Sequence, residues 1–130
     1  MARILVVDDD RLVRQTARIV LSDKGHEVVL AEGGRAGIEA AQAGLFDVAI
    51  VDLFMPDLDG LHVMETIRRL KPSIRMIAAS GFLFHGDCPP MPNFEPMAAE
   101  AGAVATLYKP FSPDMLLQAV AKAMQASAAA

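Results

Sequence analysis

The chain has a single cysteine, Cys88, among its 130 residues, so no internal disulfide can form and the composition suits a reducing cytoplasm. It carries no run of Lys or Arg longer than Arg68-Arg69, and its net charge is −4. Phosphate backbones are held mainly by dense positive charge, so direct nucleic-acid binding is not expected. No apolar run approaches the roughly 18 residues of a membrane span, and Met1 leads into a strand-like segment without a charged-then-apolar leader. The expectation is a soluble, unexported, cytoplasmic protein with no membrane contact. Apolar mass is plentiful: 53% of the residues are hydrophobic, enough for one core. That core implies a single domain over residues 1–126, with a frayed alanine-rich tail at 127–130.

The stretch Asp47 to Gly60, DVAIVDLFMPDLDG, organises the rest. Its apolar run Val48 to Val51 ends on Asp52, and short apolar runs bounded by turn residues read as strands buried on both faces of a parallel sheet. A second such run, Ile4 to Val7, ends on Asp8-Asp9-Asp10. Taken in order, strands are predicted at Arg3–Val7, Glu27–Ala31, the Asp52 segment, Arg75–Ala79 and Val104–Tyr108. Between them, apolar positions recur at helical spacing: Leu12, Val13, Ala17, Val20 and Leu21 up to a capping Gly25; Arg35 to Ala43, stopped by Gly44; and Val63, Met64, Ile67 and Leu70 after Gly60. Ser112-Pro113-Asp114 starts a last helix running to about Gln125, with Leu116, Leu117, Val120 and Met124 inward. The segment Phe82 to Pro96 breaks the rhythm with prolines at 89, 90, 92 and 96, leaving room for a short helix only at Pro96–Ala101.

Five strands alternating with helices imply right-handed crossovers and a doubly wound parallel α/β sheet with helices on both faces. Asp8 to Asp10, Asp52, Ser80 and Lys109 then stand at the carboxyl ends of strands, the rim where open α/β sheets do their chemistry. Singly, the acids have ordinary explanations as helix caps or turn formers, and Ser80 and Lys109 are uninformative; jointly they describe a site. Carboxylates crowded together repel, and a hard divalent cation with oxygen ligands, Mg²⁺, relieves that repulsion. A carboxylate beside Mg²⁺, an amine and a hydroxyl suits in-line attack on a phosphoryl group. His85, Asp87 and Cys88 fall far short of a zinc set and read as a solvated loop, and His26 and His62 as surface residues.

ILVVDDD, VDLFMPDLDG, the Ser80-Gly81 strand end and YKPF at Tyr108 to Phe111 together resemble the receiver domains of two-component response regulators, including the stand-alone chemotaxis regulator. The resemblance spans Arg3 to about Gln125. It implies a flavodoxin-like sheet ordered 2-1-3-4-5 and transfer of a phosphoryl group onto Asp52 from a sensor histidine kinase or phosphotransfer protein. By the same resemblance, Asp9 ligates Mg²⁺ directly, Asp8 does so through water, and Asp52 and the Phe54 backbone carbonyl complete the protein ligands. Asp10 is an exposed neighbour, Ser80 bonds the acyl phosphate, Lys109 pairs with it, and the Lys109–Pro110 peptide is cis.

Two features depart from the family pattern. The position three before the lysine, usually Tyr or Phe, is Thr106, and Tyr108 lies at a different phase from Lys109; the span from Ser80 to Lys109 is also longer than usual. By the resemblance, the side chains two residues after Asp52 and Ser80 flank the path of an attacking water; here they are Phe54 and Phe82, and the expectation is a long-lived acyl phosphate. The expected function is a phosphorylation-controlled switch, without an attached effector, that binds a downstream protein as a monomer or weak dimer and turns over no external substrate. Alternatives are a receiver cut from a hybrid kinase or longer regulator, and an aspartyl-phosphate phosphatase. Against the phosphatase, Phe54 stands where such hydrolases place a second acid. A flavin-binding flavodoxin fails because an acidic rim lacking a Gly/Ser/Thr cradle repels a nucleotide phosphate.

Overall fold

The computed structural model describes residues 1–80 and 94–126. Phe82, His85, Asp87, Cys88 and the rest of 81–93, with the tail 127–130, lie outside the described residues. The order is β1 (Arg3–Val7), α1 (Arg11–Asp23), β2 (Glu27–Ala31), α2 (Gly34–Ala43), β3 (Val48–Asp52), α3 (Gly60–Leu70), β4 (Arg75–Ser80), α4 (Phe94–Glu100), β5 (Ala103–Tyr108) and α5 (Pro113–Gln125). All strand pairs are parallel, and the sheet runs β2-β1-β3-β4-β5.

Alternation along each strand sends neighbouring residues to opposite faces, and the core divides accordingly. Leu5, Val7, Ala49 and Val51 pack with Val63, Met64 and Ile67 of α3 and with Phe94 and Ala98 of α4. Ile4, Val6, Val48 and Ile50 pack on the other face with Ala17 and Leu21 of α1 and Leu116 and Val120 of α5. β3, central and covered twice, is buried at all five positions, including Asp52. A fully buried Ile, Leu or Met contributes about 1.5–3 kcal/mol by leaving water, so a charge placed mid-β3 would be incompatible with the fold.

The helix ends follow local chemistry. Asp10, Asp59 and Ser112 accept hydrogen bonds from Leu12, Leu61 and Met115 N–H at the starts of α1, α3 and α5. α1 closes at Lys24, and the next residue, Gly25, takes φ of +85°, a left-handed conformation that glycine adopts without a Cβ clash. α4 begins two residues before the predicted Pro96 and ends at Glu100. Pro96 is tolerated because it sits in the first turn, where its missing N–H would have no intrahelical partner. Leu70 and Leu12, counted among inward positions by spacing, are 40% and 71% exposed, each lying at the margin of its helix's apolar stripe. His26 is half-buried rather than a plain surface residue, because its Nδ1 accepts a 3.0 Å hydrogen bond from Ala2 N–H.

Candidate functional site

β1 and β3 are adjacent and in register from Ile4–Val48 to Val7–Val51, so Asp8, one residue past β1, and Asp52, ending β3, arrive side by side. One carboxylate oxygen each from Asp8, Asp9 and Asp52 lie within 4.8 Å of one another, with Asp8 and Asp52 buried and Asp9 exposed. The loop after β5 brings the ammonium of Lys109 to 2.6 Å from Asp8 Oδ2 and 3.2 Å from Asp52 Oδ2. The second oxygens are bound by backbone: Asp8 Oδ1 accepts from Asp10 N–H at 2.9 Å and Asp52 Oδ1 from Phe54 N–H at 3.1 Å. The three acids and Lys109 thus converge as predicted, and Ser80, buried, ends β4 beside them in sequence register with Tyr108. The Lys109 N–H donates to Ser80 O at 2.7 Å, and the Lys109–Pro110 peptide is cis.

Charge and burial set the titration of these groups. Burial, reinforced by the charge of Asp8 and opposed by Lys109, pushes Asp52 up to about 6. Burial also lifts Asp8 above the usual carboxylate range, against the hydrogen bond and charge of Lys109. For Lys109, burial works to lower the pKa, but the hydrogen bond and charge from Asp8 and the charge of Asp52 outweigh it and leave it raised. Among the described residues, one ammonium thus lies against two of three clustered acids. Two unit charges about 4.8 Å apart repel by roughly 3 kcal/mol at an effective dielectric constant of about 20, so the surplus negative charge favours a further cation. The donors are all oxygen, which suits a hard divalent ion such as Mg²⁺.

Asp10 separates from the trio: it is exposed and caps α1, so the helix-cap reading holds for that one acid. Phe54 is 49% exposed in the β3–α3 loop, directly after the buried Asp52–Leu53 pair. Thr106 pairs in register with Ala78 and is half-buried. Tyr108 points to the face opposite Lys109, as the spacing requires, and so shares the phase of Thr106 one pleat further on. There it is half-buried rather than turned out: its ring meets Phe94 edge-on at 5.2 Å between centroids, and its hydroxyl donates to Glu95 Oε1 at 3.1 Å. The predicted position of Phe82 lies outside the described residues.

Sequence reasoning passed over one support of the site. Arg14, buried on the inner stripe of α1 with Ala17 and Leu21, donates from Nη1 to the Asp8 carbonyl at 2.8 Å and so holds the turn that carries Asp8 and Asp9. The clue was a charged residue at a position whose i+3 and i+7 neighbours are core. Gly60, the residue that opens α3, is a second support. A Cβ there would collide with the Asp52 carbonyl and Leu53 Cα, so only glycine lets α3 start against the end of β3.

The sequence matches the response regulator receiver domain family over residues 4–121. It is 31% identical over 129 residues to the transcriptional regulatory protein GlrR of Escherichia coli (strain K12), covering 99% of this chain but 28% of that protein. It is 30% identical over 123 residues to the chemotaxis protein CheY of Bacillus subtilis (strain 168), covering 94% of this chain and 97% of that one. The solved structure of Vibrio cholerae chemotaxis protein CheY4 superposes with a TM-score of 0.83 at 30% identity, covering 95% of this chain and 98% of the other. With the sheet order, the converged acids and Lys109 already in place, these likenesses show that the chain belongs to the receiver domains of two-component response regulators.

Proposed function

We propose that this receiver takes a phosphoryl group from the phosphohistidine of a sensor histidine kinase or phosphotransfer protein onto Asp52, and that the phosphorylated form binds a downstream protein. The observation that carries this reading is the convergence of the Asp8, Asp9 and Asp52 oxygens within 4.8 Å, with the Lys109 ammonium against two of them. An Asp52 oxygen attacks phosphorus, the bond from phosphorus to the imidazole nitrogen breaks, and its electron pair stays on that nitrogen, which then takes a proton. Lys109 provides a fixed positive charge for the phosphoryl oxygens, and the Ser80 hydroxyl a hydrogen bond. Asp8, Asp9, Asp52 and the Phe54 carbonyl would hold Mg²⁺, whose role when bound is to neutralise the phosphoryl oxygens. No external substrate is turned over, and the protein acts as a monomer or weak dimer.

The chain spans about 28% of the length of the first regulator it matches and nearly all of the stand-alone one. The same site therefore serves either a free-standing switch or the receiver of a longer regulator. Incubation with acetyl phosphate and Mg²⁺ is expected to add the mass of one phosphoryl group, and EDTA or Asp52→Asn to prevent it. Equal labelling of the Asn variant would overturn the assignment.

A further inference from the structure

α2 begins without a cap of its own, because the residue before it is Gly33, which has no side chain to offer. The missing acceptor comes from the β3–α3 loop. Asp57 Oδ1 accepts from Gly34 N–H at 3.0 Å and Asp57 Oδ2 from Arg35 N–H at 3.1 Å, so one carboxylate satisfies two successive amides of a helix more than twenty positions earlier. Those two amides, Gly34 first, hold the Asp57 carboxyl below the usual carboxylate range. The approach depends on the glycine pair. A Cβ on Gly33 would stand 2.9 Å from Asp57 Oδ2, and one on Gly34 would stand 2.7 Å from Leu58 Cβ and 2.8 Å from Val63 Cγ2.

The same loop is closed at its neck. Gly60 N–H donates to the Leu53 carbonyl at 3.2 Å, and Phe54 and Asp59 form an isolated antiparallel bridge. Phe54, at that neck, holds Asp52 Oδ1 with its N–H, and its carbonyl is the backbone ligand assigned above. Asp57 is exposed, and its two hydrogen bonds tie the tip of this loop to α2, beside the packing of Leu58 near Gly34.

We propose that Asp57 is a positioning residue for the metal site: by clamping the β3–α3 loop to α2 it fixes the Phe54 carbonyl relative to Asp52, and so sets the affinity for Mg²⁺ and links occupancy of the site to the first turn of α2. This rests on the phosphoryl-acceptor reading. On this account a loop residue without reach to the phosphoryl group acts on the reaction only through the metal.

The test has a metal-free arm and a metal arm. Without Mg²⁺, amide exchange at Gly34 and Arg35 is expected to quicken about fivefold in Asp57→Ala, the scale of a lost helix cap. In the second arm, Mg²⁺ binding is followed by calorimetry, since the chain has no tryptophan to report it. Asp57→Ala is expected to bind Mg²⁺ at least threefold more weakly, with Asp57→Asn, which keeps one acceptor oxygen, in between. Acetyl phosphate labelling should show the same shift in the half-saturating Mg²⁺ concentration and an unchanged plateau rate. A wild type that binds Mg²⁺ and labels, with both variants matching it in Mg²⁺ affinity, overturns the inference alone. A lowered plateau at saturating Mg²⁺ also overturns it, because the residue would then act on the reaction directly. A wild type that neither binds nor labels overturns the functional reading and this inference with it, whatever the exchange rates of α2.

Discussion

At the β1–β3 end of the carboxyl rim, Asp8, Asp52 and Lys109 meet at 2.6 and 3.2 Å with almost no solvent among them; at the β4–β5 end, Tyr108 leans edge-on against Phe94 and reaches Glu95 from a half-exposed position. The first region is held by charge in a place where charge is costly to leave unpaired. The second lies at a half-buried surface, where the contacts of Tyr108 include an edge-on ring contact and a hydrogen bond of the kind that water can replace. The difference fits a division of labour in which chemistry is done by a buried cluster and its result is read at a more exposed element. Thr106 sharpens the contrast. With a small side chain at that position, no aromatic can swing inward there, and we propose that the phosphorylation state is read instead through α4 and the segment before it.

The largest effect should come from removing the cation. In Lys109→Met two buried carboxylates lose their partner, and the metal-free variant is expected to lose about 3–5 kcal/mol of stability at pH 7, measured by urea unfolding. Mg²⁺, or a lower pH that protonates Asp8 and Asp52, should restore much of it. A loss below about 1 kcal/mol would mean that the cluster is far more hydrated than its burial indicates.

Titration of the same cluster gives the next effect. The folded-state pKa of Asp52, about 6, is above its unfolded value of 3.8, so between those values the folded protein binds more protons than the unfolded one. Stability without metal should therefore be greatest below pH 4 as far as this group is concerned, and fall as pH rises through 6. Asp52→Asn removes this group's share of the dependence and should stabilise the metal-free protein at pH 7 by on the order of 2 kcal/mol. An Asn variant no more stable than the parent at pH 7 would contradict the electrostatic account.

These acids were legible in the sequence because each closes an apolar run, and a strand's end is a position that periodicity can locate. Ser80 and Lys109 were found the same way. Asp57 and Arg14 were not, because their partners are backbone groups of elements far along the chain, a Gly34 amide and an Asp8 carbonyl, and no spacing rule connects them. The start of α4 was misplaced by two residues because a proline was read as a boundary when it occupied the first turn. The inward packing of Tyr108 was missed because alternation states which face a side chain takes and not what covers that face.

Lifetime of the acyl phosphate should respond more modestly. Phe54 offers no hydrogen bond to an attacking water, and Phe82 occupies the matching sequence position after Ser80. The double variant Phe54→Asn, Phe82→Glu is expected to shorten the phospho-protein's half-life about tenfold, on the order of 1.4 kcal/mol of barrier. Decay no faster than the parent at equal Mg²⁺ would place the control elsewhere. The smallest effect belongs to the readout end: Tyr108→Phe should cost no more than about 1 kcal/mol of global stability while speeding amide exchange within Phe94–Glu100. If exchange in α5 changes and that in α4 does not, the proposed route of the signal is wrong.

The most direct measurement locates the phosphoryl group. Labelling with acetyl phosphate and Mg²⁺ followed by borohydride, which reduces an aspartyl phosphate to homoserine, and then by peptide sequencing should place a single homoserine at position 52, absent when EDTA is added first. Homoserine at Asp8 or Asp9, or at Asp52 in equal amount without divalent metal, would contradict the assignment of the acceptor and of the metal's part in the reaction.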